Sequence, residues 1–394
     1  MIEIEQTGNH NLQQTGNHNL HEIPKTMRAW VHTRAGPARS VLQLRDEIPM
    51  PELPSQTSVL VRISHAALHP GESVMMNFIP FLFRKSPAVA ETDFSGVIVN
   101  VGKDVPQTAS TNLGSSRYFP PGTPVFGSIP VREHLKAGSG ALAEYVAVEM
   151  NCIARKPDEV SFEEAAGLAV SGSTALTLID EARLSQGQKV LVIGPCGGVG
   201  HFACQLARQA VMSDGLVLGI CSSSKMNLAK RLGCDETLDY QSSPEQGGNS
   251  LVSSLVSRFG GDAEDNKFDV VIDSHGSQNL WHACPSFLKA GSDHPYVTVG
   301  PALQSYSVGG MLAVISRMLS NSSTPTWAGG VNREYNQITS FVTVDKLERL
   351  RKLAEEKKLR THVGGVWEME DALEVSQYVS SRFPSCYHVN ALLT

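Results

Sequence analysis

The sequence predicts an α/β protein in which a doubly wound parallel sheet is joined to a second, β-rich domain. Three observations carry this. An apolar run, Val190-Leu-Val-Ile193, ends in the glycine-rich turn Gly194-Pro-Cys-Gly-Gly-Val-Gly200, and a helix-compatible segment opens directly after it. From about residue 157 strand-like and helix-like stretches alternate, as they do where helices cover both faces of a parallel sheet. Before residue 155 the segments are short, alternate apolar with polar residues and are cut by Pro and Gly, the pattern of a compact β domain. With 394 residues the chain is too long for one ordinary domain and long enough for two.

Residues 1–26 stand apart. Gln6-Thr-Gly-Asn-His-Asn-Leu12 is repeated as Gln14-Thr-Gly-Asn-His-Asn-Leu20, and the segment holds little apolar material to offset the entropy of ordering, so a disordered extension is expected. His10 and His18 fit a duplicated repeat better than a metal site. No charged start precedes an apolar core, which argues against a secretory signal, and the lack of Arg argues against a mitochondrial leader. Residues 27–155 form the expected β domain, with strands over 58–64 and 143–148. The near-apolar piece 74–83 is broken by Asn77 and Pro80 and reads as a pocket wall or core loop. Residues 156–331 form the parallel-sheet domain, with helices over 162–170 and 173–182 and strands over 189–193, 216–221, 270–273 and 296–300. The stretch 302–332 is longer than a strand connection needs. From 332 to 394 the chain is expected to return to the first domain, with a helix over 344–357 whose charges form a solvated face.

Composition narrows the function. A hydrophobic content of 41%, charged residues at 18% and a net charge of −6 describe a globular protein with no reason to bind nucleic acid. No apolar stretch reaches the roughly 18 residues of a membrane span. The 7 cysteines include no C-x-x-C pair, which argues against a disulfide framework and for a reducing, cytoplasmic setting. Cys196, Cys204 and Cys221 are read as small buried hydrophobes.

The glycine turn has the make-up of a pyrophosphate grip. Gly197 and Gly198, followed by Val199, let the backbone approach phosphate oxygens; Gly200 lets the helix pack on the strand, and the free N–H groups of the helix start face the negative charge. Any tight strand-to-helix turn can use glycines, so the next strand matters. It ends in Ser222-Ser-Ser-Lys225, without the Asp or Glu that would accept hydrogen bonds from a ribose 2′-hydroxyl. Hydroxyls and a lysine suit a 2′-phosphate, which favours NADPH over NADH. Ser222 and Ser223 also suit a cap for a helix over 226–232, and both roles can hold together.

Val190-Leu-Val-Ile-Gly-x-x-Gly-Gly-Val-Gly, then Ser-x-x-Lys-x-x-x-Ala-x-x-Leu-Gly-Cys-Asp, then Asp239-Tyr240, resemble the medium-chain dehydrogenase/reductase superfamily, in its zinc-independent quinone and enoyl reductase branch. Met27-Arg-Ala-Trp-Val31, Asp93-Phe-Ser-Gly-Val-Ile-Val-Asn-Val-Gly102, Pro121-Gly-Thr-Pro-Val-Phe-Gly127 and Gly140-Ala-Leu-Ala-Glu-Tyr-Val-Ala147 extend the resemblance in order. It implies a Rossmann domain beside a chaperonin-10-like (GroES-like) β domain. It also implies that Lys225 and Tyr240 grip the 2′-phosphate, that Gly300 lies in the cofactor site, and that Thr174 sits near the nicotinamide ribose, where a plain helix-start hydroxyl is the other reading.

Zinc-dependent members of the superfamily have a His where this chain has Thr92 and a later Cys near the place of Ser171; His69 alone falls at a ligand position, and a tetrahedral site needs three. Catalytic zinc is therefore not expected. Where the family has an Asn-Pro-x-Asp turn beside the nicotinamide, this chain reads His69-Pro-Gly-Glu72, making His69 and Glu72 candidate catalytic groups; the alternative is that both only shape a turn. The resemblance implies hydride delivery from NADPH to a quinone or to the C=C of an α,β-unsaturated carbonyl on a small apolar electrophile. A carbonyl/alcohol pair and a non-catalytic NADPH-binding or trafficking relative remain alternatives. In the family the stretch 302–332 walls the pocket and joins subunits, so a homodimer is among the implied outcomes. Residues 367–379 resemble the family's penultimate helix; after it, Cys386-Tyr-His-Val-Asn390 replaces the usual Gly-Lys ending and removes a lysine often near the cofactor.

Overall fold

The computed structural model describes residues 23–79, 83–109, 116–241, 250–261, 263–375 and 389–392. Among them, six parallel strands stand side by side in the order Glu236–Asp239, Leu216–Cys221, Lys189–Ile193, Val270–Asp273, Tyr296–Thr298 and Tyr335–Gln337. The order reverses between Lys189–Ile193 and Val270–Asp273, so their carboxyl ends open a crevice at the switch point. The period of two puts alternate side chains on opposite faces. Val190 and Val192 pack with the helices Ala169–Ala182 and Gly200–Val211, whereas Leu191 and Ile193 pack with Leu255, Trp281 and Phe287. A strand buried on both faces must be apolar at every position, which is why these strands are readable in the sequence.

The β domain is built on the 11-residue strand Ser58–Leu68, which pairs with Asp93–Val101, Tyr145–Glu149 and Val389–Leu392. Pro124–Ser128, Ile153–Arg155 and Val366–Trp367 complete a 7-stranded sheet. Gln43–Pro49, Thr26–His32 and Ala88–Val89 form a smaller one. Phe94, Ile98, Phe119 and Leu142 lie in the core. The architecture is a Rossmann domain with a GroES-like β domain.

Several elements differ from the sequence expectation. The segment after 331 first supplies Tyr335–Gln337 to the parallel sheet, then the helix Val344–Glu355, and only afterwards two strands to the β sheet. In that helix Leu347, Leu350 and Ala354 are the buried residues. A Cβ on Gly172 would lie 2.7 Å from Leu350 Cδ2, so this glycine sets how closely the helix approaches Ala169–Ala182. No helix starts at Trp367: Val366–Trp367 is a strand and Met369–Asp371 a 3-10 turn, fixed by the Trp30 indole N–H donating to the Met369 carbonyl at 2.6 Å. Helical structure begins at residue 372, and 376–379 lie outside the described residues. So do the repeat within 1–22, residues 80–82 of the apolar piece, and residues 386–388. The six described cysteines are free thiols. Among the described residues no helix is long and apolar enough to cross a membrane.

Candidate active site

Two cavities meet at the carboxyl ends of the parallel strands. The smaller, ≈ 310 Å³, is lined by Gly197, Ser222, Lys225 and Tyr240. The larger, ≈ 900 Å³, lies between the two domains and is walled by His69, Val74 and Met75 on one side and by Gly198, Val199 and Gly300 on the other. His275 borders both, so together they make one bent trough around the glycine turn.

The turn is held by backbone geometry that few residues allow. Gly194 has φ +77, a region open to glycine at no steric cost, and its carbonyl accepts from the Gly197 N–H at 3.0 Å. A Cβ on Gly200 would sit 1.9 Å from the Gly194 oxygen, so a side chain there would force helix and strand apart. These are the features a dinucleotide pyrophosphate needs, and the residues present fit it: a bare backbone at 197–198 and a helix start at Gly200.

Of the residues assigned to the 2′-phosphate, Ser222, Lys225 and Tyr240 come together in the smaller cavity, with Tyr240 46% exposed. Ser223 opens the 3-10 turn Ser223–Lys225 and is not on that wall. Neither Ser222 nor Lys225, the residues preceding the turn and the helix Met226–Arg231, makes a side-chain capping bond. Thr174 lies on the wall of the larger cavity, in the helix Ala169–Ala182, and its hydroxyl donates to the Val170 carbonyl at 2.8 Å.

Sequence reasoning missed the support behind this trough. Asp273, 1% exposed, accepts from the backbone N–H groups of His275, Gly276 and Ser277 at 2.9, 2.8 and 2.8 Å and from the Tyr296 hydroxyl at 2.7 Å. This folds residues 274–277 into the loop that carries Ser274 and His275 to the cavity wall. The available signal was an acid at the end of an apolar strand followed by Ser-His-Gly.

His69 precedes the helix Pro70–Phe78, where a proline in the first turn costs no hydrogen bond. Its ring reaches the larger cavity, with Nε2 3.1 Å from Thr92 Oγ1 and 3.7 Å from Glu91 Oε2. Glu72 takes a different direction. Helical phase places Pro70, Gly71, Val74 and Met75 on the cavity wall and buries Glu72, Ser73 and Met76 behind it. The Glu72 carboxylate lies 3.4 Å from His134 Nε2. Burial opposes a charge on His134, but the hydrogen bond and charge of Glu72 outweigh it and raise the pKa of this imidazole.

The same residues offer zinc few ligands. Around His69 stand the Thr92 hydroxyl and the Glu91 carboxyl, and Ser171 lines the wall. Among the described residues no three His, Cys, Asp or Glu side chains are grouped to hold a metal ion. A closed or catalytic zinc site requires at least three such ligands, so the described residues do not fit one.

A Rossmann sheet with a phosphate-fitting turn, facing a GroES-like domain across a shared apolar trough, defines a two-domain oxidoreductase that binds a nicotinamide cofactor. Comparison with known proteins agrees. The family model described as zinc-binding dehydrogenase matches residues 232–382. The chain is 29% identical over 380 residues to the medium chain reductase pydE of Acremonium sp, covering 91% of this chain and 97% of that protein. It is 27% identical over 377 residues to the trans-enoyl reductase poxH of Penicillium oxalicum, covering 88% and 93%. The quinone oxidoreductase of Coxiella burnetii superposes with a TM-score of 0.69 at 23% identity, covering 93% of this chain and 99% of that one. Over about nine tenths of its length the chain is thus similar to proteins named medium chain reductase and trans-enoyl reductase.

Proposed function

We propose that this oxidoreductase uses NADPH, without zinc, to reduce the C=C of an α,β-unsaturated carbonyl, or a quinone, on an apolar molecule. The observation that carries the reading is the large apolar cavity that borders the glycine turn and has the ionisable ring of His69, hydrogen-bonded to Thr92, at its wall. The names of relatives that reduce enoyl groups and quinones support the same reaction class. Bound NADPH supplies a hydride. Met75, Met311 and Val314 give the acceptor an apolar wall and keep water from it. His69 gives a proton to the anion left on the acceptor, and Thr92 fixes the ring by its hydroxyl. Ser222, Lys225 and Tyr240 hold the 2′-phosphate and set the preference for NADPH.

The test is NADPH consumption by the full chain against quinones, enones and aldehydes, with products identified by mass and repeated for His69→Ala. Enone or quinone turnover that falls in the variant, with elemental zinc well below one atom per chain, supports the reading. Turnover on aldehydes alone would establish the carbonyl rival, and tight NADPH binding without turnover the non-catalytic one. Zinc that is stoichiometric and needed for turnover would overturn the metal-free mechanism.

A further inference from the structure

Glu91 is a buried acid to which the reaction above gives no task, and its backbone is held where a glycine would be easier. It is 4% exposed and has φ +62, a left-handed conformation that side chains with a Cβ rarely adopt. The chain on either side is tied down: the Ala141 N–H donates to the Glu91 carbonyl at 2.8 Å, and strand Asp93–Val101 begins two residues on. This conformation brings the carboxylate to both ends of His69. Oε2 lies 3.4 Å from the His69 backbone N–H, which donates to it, and 3.7 Å from the ring Nε2. Backbone held in such a conformation persists only where the surrounding structure over-determines it.

We propose that Glu91 is a positioning residue for His69, accepting from its backbone N–H and setting the electrostatics at the Nε2 edge of the imidazole, beside Thr92. The inference rests on the reading of His69 as proton donor. The other charged groups facing Glu91 are Glu72 from the helix Pro70–Phe78, with His134 behind it, and Asp93 from the adjoining strand. Burial, and then the Glu72 charge, push the Glu91 carboxyl well above the usual carboxylate range. The pair therefore retains a proton where an exposed glutamate would have lost its own. When the ring protonates the anion left by hydride addition, Glu91 keeps the ring oriented, and the pair regains the proton from water. Neither residue is oxidised or reduced.

The experiment compares the full chain with Glu91→Gln and Glu91→Gly for NADPH affinity, thermal midpoint, the pH profile of kcat on an enone, and the ¹⁵N signals of the His69 ring. In Glu91→Gly, relief of left-handed strain offsets the added freedom of a glycine in the unfolded chain, so the midpoint stays near that of the parent. In both variants NADPH affinity and the KM for NADPH are unchanged, kcat falls about tenfold or more, and the pH profile is displaced. The ¹⁵N signals, which report which ring nitrogen carries the proton, shift in Glu91→Gln. Folded variants with the parental kcat, pH profile and ring signals would overturn the pairing. A parent that reduces no enone or quinone would overturn the proposed reaction instead, and the ring signals of Glu91→Gln would still decide the pairing.

Discussion

The replacement Asp273→Asn tests whether one buried carboxylate organises the cofactor trough. All four partners of Asp273 are donors: Oδ1 takes the N–H groups of His275 and Gly276, and Oδ2 takes the Ser277 N–H and the Tyr296 hydroxyl. Asparagine offers one acceptor oxygen and an NH₂ group that is itself a donor. In its better orientation the oxygen replaces Oδ1 and serves two N–H groups. The NH₂ then faces the Ser277 N–H and the phenol. Burial, and then the Asp273 charge, hold the Tyr296 phenol well above its ordinary pKa, so it stays protonated; its hydroxyl can turn and accept from the NH₂. The Ser277 N–H has no such escape. It is part-buried, so losing its partner costs less than for a fully buried donor, where the loss is about 1–3 kcal/mol; with the lost charge assistance of the two surviving bonds, a total of about 1–3 kcal/mol is expected.

The loss falls where it affects binding. Gly276, at φ +87, packs so close to residues 300–302 that a Cβ would lie 2.1 Å from the Gly300 oxygen. A loosened 274–277 loop therefore disturbs both walls of the trough, and NADPH affinity drops along with stability. Denaturant unfolding and a fluorescence titration with NADPH measure the two effects. A variant with the parental midpoint and the parental affinity would refute the role given to Asp273.

Two further predictions rest on other groups. Replacing Lys225 by Ala and Tyr240 by Phe together should weaken NADPH roughly ten- to hundredfold, the value of one or two charge-assisted bonds, and leave NADH nearly unchanged; equal losses for both cofactors would remove these residues from 2′-phosphate recognition. His32 is 1% exposed, with Nδ1 3.3 Å from the Arg34 carbonyl and Nε2 3.1 Å from Arg84 Nη1, partners that fix the neutral ring with its proton on Nδ1. Burial, and then Arg84, lower its pKa from 6.5 to about 4. Between those values the unfolded chain binds the proton more readily than the folded one, so this group's contribution to stability, complete above pH 6.5, is lost as pH falls towards 4. The loss is ~3 kcal/mol at its full extent. In His32→Gln, unfolding midpoints measured across this range should fall less steeply than in the parent, and parallel slopes would show that His32 does not titrate this way.

The parallel sheet was legible because its central strands are buried on both faces. Lys189–Ile193, Leu216–Cys221 and Val270–Asp273 were expected over the same residues at which they occur. The edge strand Tyr335–Gln337 was not legible, because three half-buried polar residues carry no periodicity and the strand exists only through its neighbour Tyr296–Thr298. The segment after Trp367 misled for a different reason. Its resemblance to a family helix suggested a start at Trp367, but Trp30 and the β-domain core hold Met369 in a turn. At the site, the glycine turn and the smaller cavity could be read from residue types, since close backbone approach demands glycine. The Asp273 network could not, because its value lies in three backbone N–H groups that point at it only after the loop has folded.

The contrast between Glu72 and Glu91 shows what decides which side chains reach the His69 end of the trough. Sequence proximity selects Glu72, three residues beyond His69, but a helix beginning at Pro70 rotates it away from the cavity. Glu91, far along the chain, arrives through strand pairing and a left-handed turn. With Asp93 these two place three carboxyls behind one apolar wall. Burial is the largest influence on both Glu91 and Asp93 and raises the pKa of each. In such a setting each charge disfavours the next, since none is well solvated. Burial, and then the Glu72 charge, help Glu91 retain its proton behind His69. In the proposed reaction, hydride addition leaves an anion that must be protonated with no metal to stabilise it. That retained proton, a short distance from an imidazole at the cavity edge, meets the requirement.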